Sequence, residues 1–339
     1  MIAIVVALAA CGDDASSASD GGAPHDASVD APPGADASID VPSKPATWSP
    51  RAPLPAAQQE TAVLALGGKI YVIGGFLGNS QPTNAVNVYD PAADTWTAAA
   101  PLPEPLHHVN AAVVDGKIWI VGALRSLAFN AAGLVIVFDP AANTWTPKPG
   151  AAMPAGSERG SSVVGAIGKV IYVAGGFRGG AVADFSSFDT ETESWTPRPP
   201  LDAPRDHAMG GVVAGKLYAI GGRDGTIGGH YDRVDAFDPV TGAWMSRAPM
   251  PTSRGGGAAA VAKGLVIVAG GEGNGDSATG VFADVEAYDP ATDAWSKLPP
   301  MLTPRHGTGA ATVDDVVYVP GGGDRQAFGA TAVVEAITF

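Results

Sequence analysis

A single cysteine in 339 residues, Cys11, excludes any disulfide within the chain. Basic residues are scarce, with 20 Lys and Arg against 34 Asp and Glu and a formal net charge of -14. Nucleic-acid binding needs a basic footprint, so that class of partner is set aside. Residues 12–45 contain no aromatic residue, no Glu and no Arg. Their seven Asp and one Lys supply -6 of the net charge and leave -8 for the rest. A stretch built from Ala, Asp, Ser, Gly and Pro cannot bury enough apolar surface to offset the entropy cost of ordering. It reads as a disordered linker, extended by its own charge.

Catalytic signatures are also missing. The sequence holds no His-Glu-x-x-His, no pair of cysteines, and no Gly-x-Ser-x-Gly in a triad context. The glycine-rich stretch 270–276 lacks the Gly-Lys-Ser/Thr ending and the strand-to-helix setting of a phosphate loop. Neither a metal nor a cofactor is therefore expected.

The longest feature of the N-terminus is the apolar run 2–10. At about nine residues it is too short to cross a bilayer as a helix, but it suits the hydrophobic part of a signal peptide. No Lys or Arg precedes it, unlike most signal peptides. The run closes on Leu8-Ala9-Ala10-Cys11, which resembles the bacterial lipobox. There, small residues fit the peptidase and the thiol accepts the lipid. The resemblance implies a lipid-anchored cell-envelope protein whose mature chain starts at Cys11, in the outer membrane and facing the periplasm or the outside.

What is abundant is Gly and Pro, 45 and 29 residues, and they recur with a period. Trp48, Trp96, Trp145, Trp195, Trp244 and Trp295 are spaced by 48, 49, 50, 49 and 51. Gly-Gly pairs stand at Gly74-Gly75, Gly175-Gly176, Gly221-Gly222, Gly270-Gly271 and Gly321-Gly322, with Gly122-Ala123 in the remaining copy. Tyr-Asp or Phe-Asp recurs at 89–90, 138–139, 188–189, 237–238 and 288–289. From that Asp to the next Trp is six residues in all five copies. From Gly-Gly to the Asp the spacing varies, so one turn is fixed in length and one loop is free. Frequent turn signals between short alternating apolar segments indicate antiparallel strands.

A unit of about 50 residues with these three motifs in register resembles the Kelch repeat over residues 46–339. The resemblance implies an all-β fold, a six-bladed β-propeller of four-stranded antiparallel blades. The last copy stops at Phe339 before its Trp, and Trp48 has no strands before it. Residues 46–55 are therefore expected to supply the outer strand of the last blade, closing the ring. The expected domains are 1–11 signal peptide, 12–45 linker and 46–339 propeller. Gly-Gly is expected where the backbone needs positive φ, Asp-Pro at a tight turn, and Trp between blades.

The resemblance further implies a shared binding surface, formed by the residue before each innermost strand and by the loop after Gly-Gly. Counting back 17 from the second glycine gives Gln58, Leu106, Arg159, Arg205, Arg254 and Arg305. The following loops add Arg178, Arg223 and Arg325, with Phe76 and Phe177 as stacking platforms and His107, His108, His207 and His306 nearby. Guanidinium groups would favour an anionic glycan or an acidic protein segment. The competing reading is that Arg at this slot caps or bridges blades, pairing with backbone carbonyls or neighbouring acids. The preferred function is a monomeric, non-enzymatic recognition or scaffold module for a protein or carbohydrate. The alternative is a sugar-acid enzyme resembling sialic-acid epimerases. Copper radical oxidases of Kelch type need a cross-linked Cys, and the lone Cys11 lies outside the repeats.

Overall fold

The apolar runs that lead into Gly-Gly become strands buried on both faces. In Lys69–Ile73, every residue after the lysine is buried. A strand apolar on both sides needs cover on both sides, and a ring of blades supplies it. A computed structural model describes residues 45–339 of the chain. Cys11, the lipobox and all but the end of segment 12–45 lie outside the described residues. No described helix is long and apolar enough to cross a membrane.

Six four-stranded antiparallel sheets follow one another along the chain. The first blade is formed by Ala62–Leu66, Lys69–Ile73, Val86–Asp90 and Thr95–Ala98. The fifth, by the same logic, is Ala258–Ala262, Leu265–Ala269, Val285–Asp289 and Ala294–Leu298. First strands alternate buried and half-buried residues, whereas fourth strands are largely exposed. The core therefore lies between the middle strands of adjacent blades. One cluster joins Ile70, Val72 and Tyr89 of the first blade to Ala311, Tyr318 and Ala336 of the last.

The last blade closes the ring. Val334–Thr338 pairs antiparallel with Thr47–Pro50, Trp48 opposite Ile337 and Pro50 opposite Glu335. Each repeat Trp then ties its blade to the one before. The indole N–H of Trp96 donates to Ala52 O at 2.9 Å, that of Trp295 to Ala248 O at 2.9 Å, and that of Trp48 to Pro299 O at 2.8 Å. The six such bonds form a complete outer circle. The third-strand Asp makes the tight turn as expected, with Asp90 Oδ1 accepting from Ala92 N at 3.0 Å.

Gly74 shows why the repeat keeps its glycines. Its φ is 63°, and a Cβ there would lie 2.4 Å from Leu106 O of the next blade. Gly75 N donates to that same carbonyl at 2.8 Å. The second blade departs from the pattern at Gly122-Ala123. Its second strand continues without a break to Arg125, pairing with Asn130–Asp139. The carbonyl of Arg159, which a second glycine would have met, takes a bond from Asn110 Nδ2 at 3.0 Å instead.

Candidate functional site

The arginine slot lies inside the blades and not on the axial face. Arg159, Arg205, Arg254 and Arg305 are at most 1% exposed. Arg159 donates to Gly175 O and Val173 O, both at 2.9 Å. Arg205 reaches Asp235 at 2.6 Å, Arg254 reaches Glu286 at 2.6 Å, and Arg305 reaches Glu335 at 3.2 Å. Each of these acids sits on the third strand of the same blade; on the third strand of its own blade Arg159 instead meets Ser186 Oγ at 2.8 Å. The first two blades carry neutral versions of the pair. Asn87 Nδ2 donates to Gln58 Oε1 at 2.7 Å, and Leu106 and Ile136 share one apolar cluster. This corrects the expectation of a guanidinium ring offered to a ligand: the four groups are buried and held by the strands of their own blades.

The residues that meet at the axis stand two positions further on: Glu60, His108, Ser161, His207, Gly256 and Gly307. All six have positive φ, between 49° and 69°. Their backbones form a closed inner circle, each N–H donating to the carbonyl of the residue before it in the ring. His108 N reaches Glu60 O at 3.1 Å, Ser161 N reaches His108 O at 2.9 Å, and Glu60 N closes onto Gly307 O. These positions border an axial cavity of about 320 Å³ on the inner-strand side. Glu60, His108 and His207 also border a second cavity of about 140 Å³, under the loops that follow Gly-Gly.

That second cavity has aromatic walls. Phe76 is buried, 4.2 Å from the His107 ring and 5.3 Å from the Phe328 ring, centroid to centroid. Phe129 and Ile227 complete the wall. Phe177 touches Phe129 at 6.2 Å but does not line the cavity. Phe328 is 43% exposed at the rim. Its loop is pinned from below, with Ala327 N donating to Glu272 at 3.1 Å and Gly329 N to Gln59 at 2.7 Å. Of the loop arginines, only Arg223 reaches the floor. Arg178 is half-buried against Asp184, and Arg325 is exposed beside Asp324.

The floor is a connected polar network. Arg223 Nε donates to Asp206 at 3.0 Å, and its Nη1 pairs with Glu272. Its Nη2 lies over the His207 ring, 2.6 and 3.0 Å from the two nitrogens. His207 Nδ1 is 2.6 Å from Asp206 Oδ1, so the proton is assigned to that nitrogen and Nε2 carries the lone pair. His107 Nε2 faces Ser126 O at 2.8 Å and must donate to it. Burial, with His108 beside it, pushes the His107 imidazole down to about 4. Neutral His107 accepts at Nδ1, so His108 Nδ1 is the donor across their 2.6 Å contact and His108 Nε2 faces Glu60 Oε2 at 3.1 Å. Burial, then Arg223, pushes His207 down as well. Burial works to raise the Glu60 carboxyl, yet His108, His207 and His306 together hold it well below its ordinary value.

Of the residues singled out in the sequence, the structure brings His207, Arg223 and Phe76 together at this end, beside Glu60, Asp206 and Glu272, which the sequence did not single out. The signal it lacked was the step of two beyond the arginine slot, where the six copies differ most in chemistry.

The repeat architecture has known counterparts. Residues 43–202 match the KLHDC2/KLHL20/DRC7 Kelch-repeats domain, and residues 204–251 and 253–302 each match the Kelch motif. The chain belongs to the Kelch-repeat family. It is 37% identical over 293 residues to Kelch-like protein terF of Aspergillus terreus, across 82% of this chain and 52% of that protein. The chain thus spans about half the length of that Kelch relative. A shorter match, 47% over 53 residues, joins it to Kelch-like protein 25 of Xenopus laevis, across 16% of this chain and 8% of that one. The solved structure of YjhT superposes with a TM-score of 0.67 at 19% identity, covering 84% of this chain and 96% of that chain. That likeness shows a shared Kelch propeller fold. The Kelch propeller fold suggests a protein-binding scaffold.

Proposed function

We propose that this Kelch propeller is a recognition module that takes a protein segment at its axial pocket, on the face of the Gly-Gly loops. The observation that carries the reading is the aromatic-walled cavity over a polar floor. At about 140 Å³ it is well below the roughly 300–1,000 Å³ of small-molecule sites. It suits one apolar side chain entering between Phe76, Phe129 and Phe328. The floor carries Glu60, Asp206 and Glu272 against the single guanidinium of Arg223, so an anionic glycan is not favoured there. We place the module on the cell envelope, held by lipid on Cys11. That placement rests on the Leu8-Ala9-Ala10-Cys11 sequence and the acidic segment that follows.

The test is an array of peptides and glycans probed with the parent and with Phe328→Ala. Truncating an aromatic anchor in a docking site costs more than about 1 kcal/mol. Peptide binding weakened about tenfold is expected. Binding equal in both proteins would put the site elsewhere.

A second reading has one observation in its favour, the half-buried Glu60 carboxylate between two imidazoles. Those groups suit proton transfer on a sugar acid. Turnover of sialic acids by the parent, abolished in Glu60→Gln, is what that reading requires.

A further inference from the structure

We propose that Glu60, His108 and His207 form a binding site for one divalent transition-metal ion, at the floor of the axial pocket. Three acceptor atoms converge there. His108 Nε2 lies 2.9 Å from His207 Nε2 and 3.1 Å from Glu60 Oε2, and His207 Nε2 lies 3.8 Å from Glu60 Oε2. A point about 1.9 Å from all three atoms exists within that triangle, close to the roughly 2.0–2.1 Å of zinc–imidazole and zinc–carboxylate bonds. The three residues also come together as the one cluster of metal-ligating type among the described residues.

The hydrogen-bond accounting makes the convergence costly without a cation. His207 Nδ1 is committed to Asp206, and His108 Nδ1 to His107, which in turn is committed to Ser126 O. With both rings neutral, the two Nε2 atoms present lone pairs to each other and to a carboxylate, an arrangement relieved either by a cation between them or by a proton on His108 Nε2. Arg223 Nη2 reaches His207 Nε2 from the ring face at 3.0 Å, but His108 Nε2 has no such donor. The Asp206–His207 bond is the arrangement that orients and strengthens an imidazole as a metal ligand.

A second observation points the same way. His306 is fully buried, and its Nε2 is 2.9 Å from Arg325 O, so Nδ1 carries the lone pair when the ring is neutral. That Nδ1 has no hydrogen-bond partner among the described residues and faces Glu272 Oε2 at 3.5 Å and Glu60 Oε1 at 3.9 Å. Three carboxylates against one guanidinium leave the floor with a surplus of two negative charges when its imidazoles are neutral. A divalent ion balances that surplus. Two imidazoles and one carboxylate suit zinc or iron(II) and leave the remaining coordination positions open to the pocket.

The test uses the full chain, stripped with a chelator and titrated calorimetrically with zinc chloride. Cobalt(II) is titrated in parallel and followed by its d–d absorption. The parent is expected to take up one equivalent at this site. His108→Asn, His207→Asn and Glu60→Gln, which keep residues tolerant of positive φ or of like size, are each expected to weaken it at least 100-fold. Asp206→Asn is expected to weaken it 10–100-fold, as loss of an orienting partner does. His230→Asn, outside the cluster, should bind as the parent does. Melting curves without metal identify any variant that fails to fold, in which case the remaining variants and the cobalt spectrum of the parent decide. A parent that takes up no stoichiometric zinc would assign the floor to a Glu60–His108 ion pair and overturn the proposal. So would uptake unchanged in every folded variant. No partner enters the measurement, so its outcome is independent of the recognition reading.

Discussion

Arg254→Leu alone is expected to destabilise the propeller by about 3–5 kcal/mol, and Glu286→Ile alone by a similar amount. Each single change strands a charge that has no route to water, since both side chains are fully buried. At a propeller's size this lowers the melting midpoint by roughly 10 °C. The double variant Arg254→Leu/Glu286→Ile is expected to recover most of the loss. Its template is already in the molecule, because the same two positions of the second blade are Leu106 and Ile136, packed in one cluster. Replacing a buried ion pair by apolar residues of similar volume is often neutral or better. Thermal unfolding of the three variants checks this. A double variant that loses the sum of the two singles would mean that the guanidinium does more than bridge strands.

Removing residues 46–55 is expected to abolish cooperative unfolding altogether. The deletion takes away the Thr47–Pro50 strand and its four-residue register with Val334–Thr338. It also removes the Trp48–Pro299 bond, the buried side chain of Leu54, and the bonds from Arg51 N to Val334 O and Leu54 N to Ala332 O. The last blade is left with three strands and an open edge, which invites pairing with other chains. Circular dichroism melting and light scattering on the shortened chain check this. A deletion variant that melts like the parent would refute the closure as a source of stability.

The fold was legible because repetition writes each structural demand several times. Gly-Gly, Asp-Pro and Trp recur in register, and their jobs follow from positive φ, a side-chain-capped turn and an indole bond to the preceding blade. The site was less legible, and for a physical reason. Repetition at the arginine slot was visible, but the direction of those side chains was not. The partners that decide it, Asp235, Glu286 and Glu335, lie about 30 residues downstream and recur with the arginines, which marks a frame contact. The floor of the axial pocket is what does not repeat. Glu60, His108, Ser161, His207, Gly256 and Gly307 occupy one structural position with four chemistries, so no motif announces them. Their convergence depends on closing the ring, which brings Glu60 of the first blade beside Gly307 of the last.

The most direct test of the account separates the frame from the pocket. A peptide and glycan array is probed with the parent, with Arg254→Leu/Glu286→Ile, and with His207→Asn, all confirmed folded. The arginine-pair variant should keep the parent's binding pattern, and the pocket variant should lose it. The reverse result, binding lost with the arginine pair and kept without His207, would contradict the account.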